Sequence, residues 1–402
     1  MTNKVATESS LSKTRNPVVV QYLLFVFFSN FSTMLYFLTT FLQQGGLSLG
    51  QVSLLLLCYQ ASKFVFEIPT GYMGDRFGRK ASGLAGLGGL VVYLVMLLVV
   101  RDFVWLIPAF ILRGIALSCV SGSIESLFVD SIEESELIRY NTWDRMAFFG
   151  SYALSVILGG LLAGQQLMVF GIICDLIAIL LAIIATSLIR ELRHPNSNEM
   201  QEKQSLSAIK QMLKTRPILV AGLLIDLAQA FTFVAFEDFY IIILRDMGLS
   251  PFLAGLSLAL QLLIAAGLGL FTSRILRTVN TKQFFMITSI IKLPFTALIL
   301  LSAIPVMFVP LIYIGESILG TLSGAIRYRA FQEACPSELR NTCISLQSQM
   351  ISCAALLFYG ISAMALEFVT LPQLLLMALG VTACIYVPAV FRMSKAVHSS
   401  WE

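Results

Sequence analysis

The chain has 402 residues, of which 57% are hydrophobic and 12% charged, with a formal net charge of +4 and a mean hydropathy of +0.84. Soluble globular chains are roughly half apolar and a quarter charged, so this composition excludes a soluble enzyme or a nucleic-acid-binding module and places the chain in a bilayer. The two histidines, His194 and His398, lie far apart in polar sequence, and no Gly-x-x-x-x-Gly-Lys-Ser/Thr loop is present, so neither histidine catalysis nor an ATP-driven pump is expected.

Residues 1–16 form a polar tail carrying Lys4, Lys13 and Arg15, and no small-residue cleavage site follows a short apolar core. The first apolar run therefore reads as a retained membrane helix. A window of about 19 residues, the length that crosses about 30 Å of hydrocarbon, finds candidate spans centred near Ser29, Tyr59, Leu90, Ala116, Ala153, Ile177, Gln229, Leu262, Ile291, Leu319, Ser352 and Met377. The first six make an N-terminal bundle over residues 17–189. Residues 190–216 read as a linker in which Leu206, Ile209 and Leu213, at helical spacing, mark a surface helix. The last six spans make a second bundle over 217–391, and 392–402 form a short tail. With the N-terminus inside, most Lys and Arg fall in cytoplasmic segments and only Arg101 and Arg245 in outer ones. That asymmetry puts both termini in the cytoplasm of a multi-pass cell (plasma) membrane protein.

The two halves echo each other. Gly46-Leu47-Ser48 recurs as Gly248-Leu249-Ser250, and Ser121-Gly122-Ser123-Ile124 recurs as Ser323-Gly324-Ala325-Ile326, both at an offset of 202 (248 − 46 and 323 − 121). Two matches at one gapless offset predict an internal duplication. The seven cysteines are scattered through apolar runs without a CxxC and read as small core hydrophobes, with no metal site expected.

Between the second and third spans lies GYMGDRFGRK, Gly71 to Lys80. Gly71, Asp75, Arg76, Gly78, Arg79 and Lys80 match the Gly-x-x-x-Asp-Arg-x-Gly-Arg-Lys signature, and with the twelve spans in two halves the chain resembles the major facilitator superfamily along nearly its whole length. The resemblance implies an all-α membrane protein of twelve transmembrane helices in two pseudo-symmetric six-helix bundles. It also implies that the signature is a conformational latch, with Asp75 meeting the start of span 11 near Asn341 and Thr342, and that spans 1, 4, 7 and 10 line a central cavity. Gly71 is expected to let another helix approach closely, and Gly78 to permit a tight reversal.

Ionisable groups inside spans are costly unless paired or wetted, so each is a functional candidate. Arg113, Asp226 and Glu316 are read as cavity residues for substrate or protons, and Glu125 and Arg327, related by the 202 offset, as a cytoplasmic gate. The competing reading pairs each charge within its own half. Lys63 and Glu67, four apart, are read as a structural pair. Asp175 and Lys292 fall on spans that the family places toward the outside and receive no role. Proton-coupled drug antiporters of the superfamily carry Arg-x-x-Gln-Gly in span 4 and Gly-x-x-x-Gly-Pro-x-x-Gly-Gly in span 5. Here Arg113 is followed by Ala116 and Leu117, and span 5 keeps Ser151, Ser155, Gly159 and Gly160 without the proline. Phe28, Phe31, Tyr36, Phe231, Phe233, Phe236 and Phe239 lean the reading toward an amphiphilic ligand. The expectation is a secondary transporter, not an enzyme and with no catalytic residues, working by alternating access. It would export a small amphiphilic or drug-like compound in exchange for protons, with uptake of a small metabolite by proton symport as the alternative. Its partners would be substrate, protons and lipid, without nucleic acid or any cofactor beyond the proton gradient, and it would act as a monomer.

Overall fold

The computed structural model describes residues 17–121, 123–129, 137–189, 206–300, 304–336, 340–395 and 397. They form helices α1 Pro17–Ser29, α2 Leu38–Gln44, α3 Leu49–Phe77, α4 Arg79–Val99, α5 Phe103–Val120, α6 Ser123–Val129, α7 Leu137–Gly164, α8 Met168–Leu188, α9 Leu206–Thr215, α10 Pro217–Asp246, α11 Pro251–Arg277, α12 Thr281–Leu300, α13 Val309–Ala334, α14 Arg340–Ala365 and α15 Leu371–Ser394. Ten of the described helical stretches are long and apolar enough to cross a membrane, and two shorter apolar ones, Pro17–Ser29 and Pro217–Thr232, bring the number to twelve. Every expected span centre falls in one of these helices. The protein is an all-α membrane protein with the twelve-helix fold that the sequence implied.

The first span is not continuous. Helix α1 stops at Ser29 and α2 starts at Leu38, leaving Asn30–Phe37 outside any helix. Backbone freed at membrane depth needs partners inside the protein. Asp175 of α8 supplies them: its carboxylate accepts Thr33 N–H at 2.6 Å, Thr33 Oγ1 at 2.8 Å, Met34 N–H at 3.2 Å and Ser32 Oγ at 3.2 Å. The Asn30 side chain donates to Val26 O at 2.8 Å, closing the end of α1. The residue without a role in the sequence therefore holds the break in span 1. Removing its acceptors strands two backbone N–H groups, so Asp175→Ala is expected to lower stability by about 2–4 kcal/mol and Asp175→Asn by less. Thermal unfolding in detergent checks both; an unchanged Asp175→Ala contradicts the account.

The chain divides into two compact units, one containing the described residues up to Met34 with Cys58–Leu162 and 166–189, the other Leu35–Leu57, Ala163–Gln165 and the described residues from 206 onward. The C-terminal part of span 1 and the first third of α3 thus cluster with the second half of the sequence. Within that second unit Thr39 Oγ1 donates to Asp238 O at 3.0 Å, and Arg245 donates to Gln43 Oε1 at 3.2 Å.

Helix pairs in the first unit are drawn together by small residues. A Cβ on Gly114 of α5 would collide with Ser62 Oγ and Tyr59 O of α3, and one on Gly86 of α4 would lie 2.5 Å from Ala116 O of α5. Such positions let helix backbones approach closely where lipid supplies no hydrophobic drive. A Cβ on Gly71 meets nothing within 4 Å and the residue is exposed, so the close approach expected there is made by Gly114 and Gly86 instead.

The repeated Gly-Leu-Ser segments adopt one conformation. Gly46 and Gly248 have φ of +95° and +88°, the left-handed region glycine enters without strain. Each closes the end of a helix in the same way, with Leu47 N–H donating to Leu42 O at 3.2 Å and Leu249 N–H to Leu244 O at 2.9 Å. Ser250 then caps α11 through Leu253 N–H.

In the linker, α9 is the helix expected from Leu206, Ile209 and Leu213. Its Met212 is buried among Leu219, Phe331, Cys335 and Cys343 of the second unit, while Lys214 is exposed. Cys335, just after α13, and Cys343, in α14, are joined by a disulfide, which corrects the reading of all cysteines as unpaired hydrophobes; Cys58, Cys119, Cys174, Cys353 and Cys384 are free. His194 and His398 lie outside the described residues.

Candidate functional site

The second unit contains a cavity of about 450 Å³. It is lined from α10 by Asp226, Gln229 and Thr232, from α11 by Gln261, from α12 by Lys292 and Thr296, from α13 by Tyr313, Glu316, Ser317, Thr321 and Arg327, from α14 by Ile351, and from α15 by Thr382 and Tyr386. All six long helices of one bundle contribute. The polar residues form layers. In the first, Asp226 and Arg327 make an ion pair, and Gln347 of α14 donates to Asp226 Oδ2 at 2.8 Å. One turn along α10, Gln229 donates to the Tyr386 hydroxyl at 3.2 Å, and Lys292 Nζ lies 5.1 Å from the Tyr386 ring centroid, a cation–π distance. The next turn joins Thr232 to Thr382 at 2.8 Å. On α13, Ser317 accepts from Gln261 at 2.9 Å.

Two charges are left open. Glu316 has no hydrogen bond and no ion pair within 4.0 Å among the described residues, and its main charged neighbour is Lys292. Lys292 is buried at 9% exposure, and its ammonium has the Tyr386 ring but, among the described residues, no carboxylate within that distance. A buried ammonium and a half-buried carboxylate thus line one cavity without an ion pair between them, which makes both candidates for binding.

The candidates named from the sequence separate accordingly. Asp226, Glu316 and Arg327 meet in this cavity. Arg327, expected at a gate with Glu125, has its guanidinium on Asp226 of its own unit, so the within-half reading describes it. Glu125 is exposed in the first turn of α6, in the other unit. Arg113 also lies in the first unit, its guanidinium 4.5 Å and 5.4 Å from the Tyr59 and Tyr93 ring centroids. Lys63 and Glu67 form no ion pair with each other. Of the aromatic residues expected to face a ligand, Phe231 and Phe239 lie edge-on to Phe358, and the rings lining the cavity are Tyr313 and Tyr386. The side chains of Phe233 and Phe236 lie outside the described residues.

The motif between spans 2 and 3 is partly visible. Gly78 has φ +107° and separates α3 from α4, the reversal expected of it. Lys80 Nζ donates to Ser187 O and Ile189 O, each at 2.7 Å, capping the last carbonyls of α8. Arg76 is exposed beside Phe77, and Arg79 is half-buried. The side chains of Asp75, Asn341 and Thr342 lie outside the described residues, so the expected latch contact does too.

A family model described as the Major Facilitator Superfamily matches residues 22–359. The chain belongs to the major facilitator superfamily. The transporter is similar in fold to solved structures: a point mutant of the nucleoside transporter NupG (TM-score 0.73, 12% identity, covering 94% of this chain and 99% of that one), a D-xylose-proton symporter (0.72, 13%, 95% and 97%) and a bacterial homologue of the human lysosomal transporter Spinster in an occupied, inward-facing conformation (0.71, 16%, 97% and 98%). No curated relative matches the sequence. Membership makes the chain a membrane-embedded transporter of a small molecule rather than an enzyme.

Proposed function

We propose that this transporter is proton-coupled, works by alternating access in the cell membrane with both termini cytoplasmic, and holds its cargo in the cavity of the second unit, with Glu316 carrying the proton. The observation that supports this reading is the open carboxylate of Glu316, which lines the cavity without a hydrogen-bonding or ion-pair partner among the described residues. Such a group can exchange a proton as cargo arrives and leaves. Asp226 shares the proton role in the sequence reading, but Arg327 already neutralises it, so it is assigned to holding α10 and α13 together. The charged groups of Lys292 and Glu316 in the lining favour a small polar solute over a drug-like amphiphile.

Export of amphiphilic compounds is the second reading. It is favoured by Arg113 and by the small residues Ser151, Ser155, Gly159 and Gly160 of α7, which match parts of the antiporter signatures. Whole-cell accumulation of polar metabolites and of dyes, with and without a proton uncoupler, separates the two. An uncoupler-sensitive concentration difference of a polar solute across the membrane is the expected result. Uncoupler-sensitive loss of dyes, with no polar solute moved, selects export of amphiphiles and overturns the first reading.

A further inference from the structure

The cavity charges point to the kind of molecule held. Asp226 and Arg327 cancel each other, which leaves one cationic and one anionic group free to act on cargo. A cargo bearing only a carboxylate satisfies Lys292 but sets its charge against Glu316. A cargo bearing only an amine satisfies Glu316 but faces Lys292. A molecule with both poles answers both groups, and it leaves no buried charge uncompensated in a low-dielectric site. The position of Lys292 fits this use: the Tyr386 ring supports its ammonium from one side without occupying its N–H donors, and Gln229 holds the Tyr386 hydroxyl. The uncharged side chains that also line the cavity, including Thr296, Tyr313 and Thr321, suit a short carbon skeleton.

We propose that the second-unit cavity is a zwitterion site, in which Lys292 receives the carboxylate and Glu316 the ammonium of a small amino-acid-like solute. The proposal rests on the reading that cargo occupies this cavity, and the test separates the two. The purified full-length protein in detergent is titrated calorimetrically with four five-carbon probes: 2-aminopentanoate, 5-aminopentanoate, pentanoate and pentylamine. At least one zwitterion is expected to bind about tenfold or more tightly than either single-charge probe, the loss of one charge-assisted contact being worth about that factor. Lys292→Gln should bring zwitterion binding down to that of pentylamine, and Glu316→Gln down to that of pentanoate. Lys292→Arg keeps the charge and should retain the preference, which distinguishes recognition from loss of the fold; size-exclusion profiles check that each variant is intact. If a single-charge probe binds as tightly as the zwitterions and its binding falls in either Gln variant, the cavity is the site but the zwitterion proposal is overturned. If zwitterions bind equally well to wild type and to both Gln variants, the cavity reading itself fails. If none of the four probes gives heat at millimolar concentration, the zwitterion proposal is overturned.

Discussion

Asp226→Asn is expected to destabilise the folded transporter by about 3–5 kcal/mol, and Arg327→Gln by less, because each single change leaves the other partner of a buried ion pair uncompensated. The order follows from the neighbours. After Arg327→Gln the Asp226 carboxylate keeps the Gln347 amide, which donates at 2.8 Å. After Asp226→Asn the Arg327 guanidinium, only 18% exposed, has lost its counter-charge, and its Nε already has no hydrogen-bond partner among the described residues. The double variant Asp226→Asn/Arg327→Gln puts two neutral amides in place of two opposite charges, and most of the stability should return because two residues in contact do not add independently. Thermal unfolding of the four proteins in one detergent measures the cycle. A double variant as damaged as the sum of the singles would show that the pair is not what holds α10 to α13.

The largest functional effect is expected at Glu316. A transporter that couples cargo to protons needs a group that can be empty in one half of its cycle and protonated in the other. Glutamine has nearly the shape of a protonated glutamate but cannot release a proton. Glu316→Gln should therefore lose accumulation driven by a pH difference, by about tenfold or more, and whatever cargo exchange remains, at the weaker affinity of a neutral side chain, should no longer depend on pH. Lys292, the main charged neighbour of Glu316, keeps its own contact with the Tyr386 ring in that variant, so the cavity retains one charged pole.

The spans are legible in the sequence because a bilayer demands long apolar helices, and twelve of them are hard to hide in a chain with so few charges. The matched Gly-Leu-Ser segments are legible for a local reason: both glycines take a left-handed φ, and a turn of that kind leaves a short signature in each copy. The break in span 1 is not. Asn30–Phe37 reads as a continuation of the apolar run, and the carboxylate that stabilises the open backbone lies 142 residues away from Thr33. Lys292 stays hidden when a residue is assigned by the number of its helix; the cavity lies inside one bundle, where helices on the family's outer positions also contribute side chains. The partner of Arg327 is concealed in a similar way, since the offset that relates Glu125 to Arg327 carries no information about Asp226 on α10. The disulfide between Cys335 and Cys343 joins residues 8 apart, a spacing with no recognised motif.

The most direct measurement is a pH record inside proteoliposomes containing the full-length transporter, taken as cargo is added under an imposed pH gradient. The wild-type protein should move protons in response to cargo, and Glu316→Gln should give no proton signal even where labelled cargo still exchanges. Proton movement of wild-type size in Glu316→Gln would contradict the assignment of the proton to this carboxylate, and with it the account of how the second-unit cavity works.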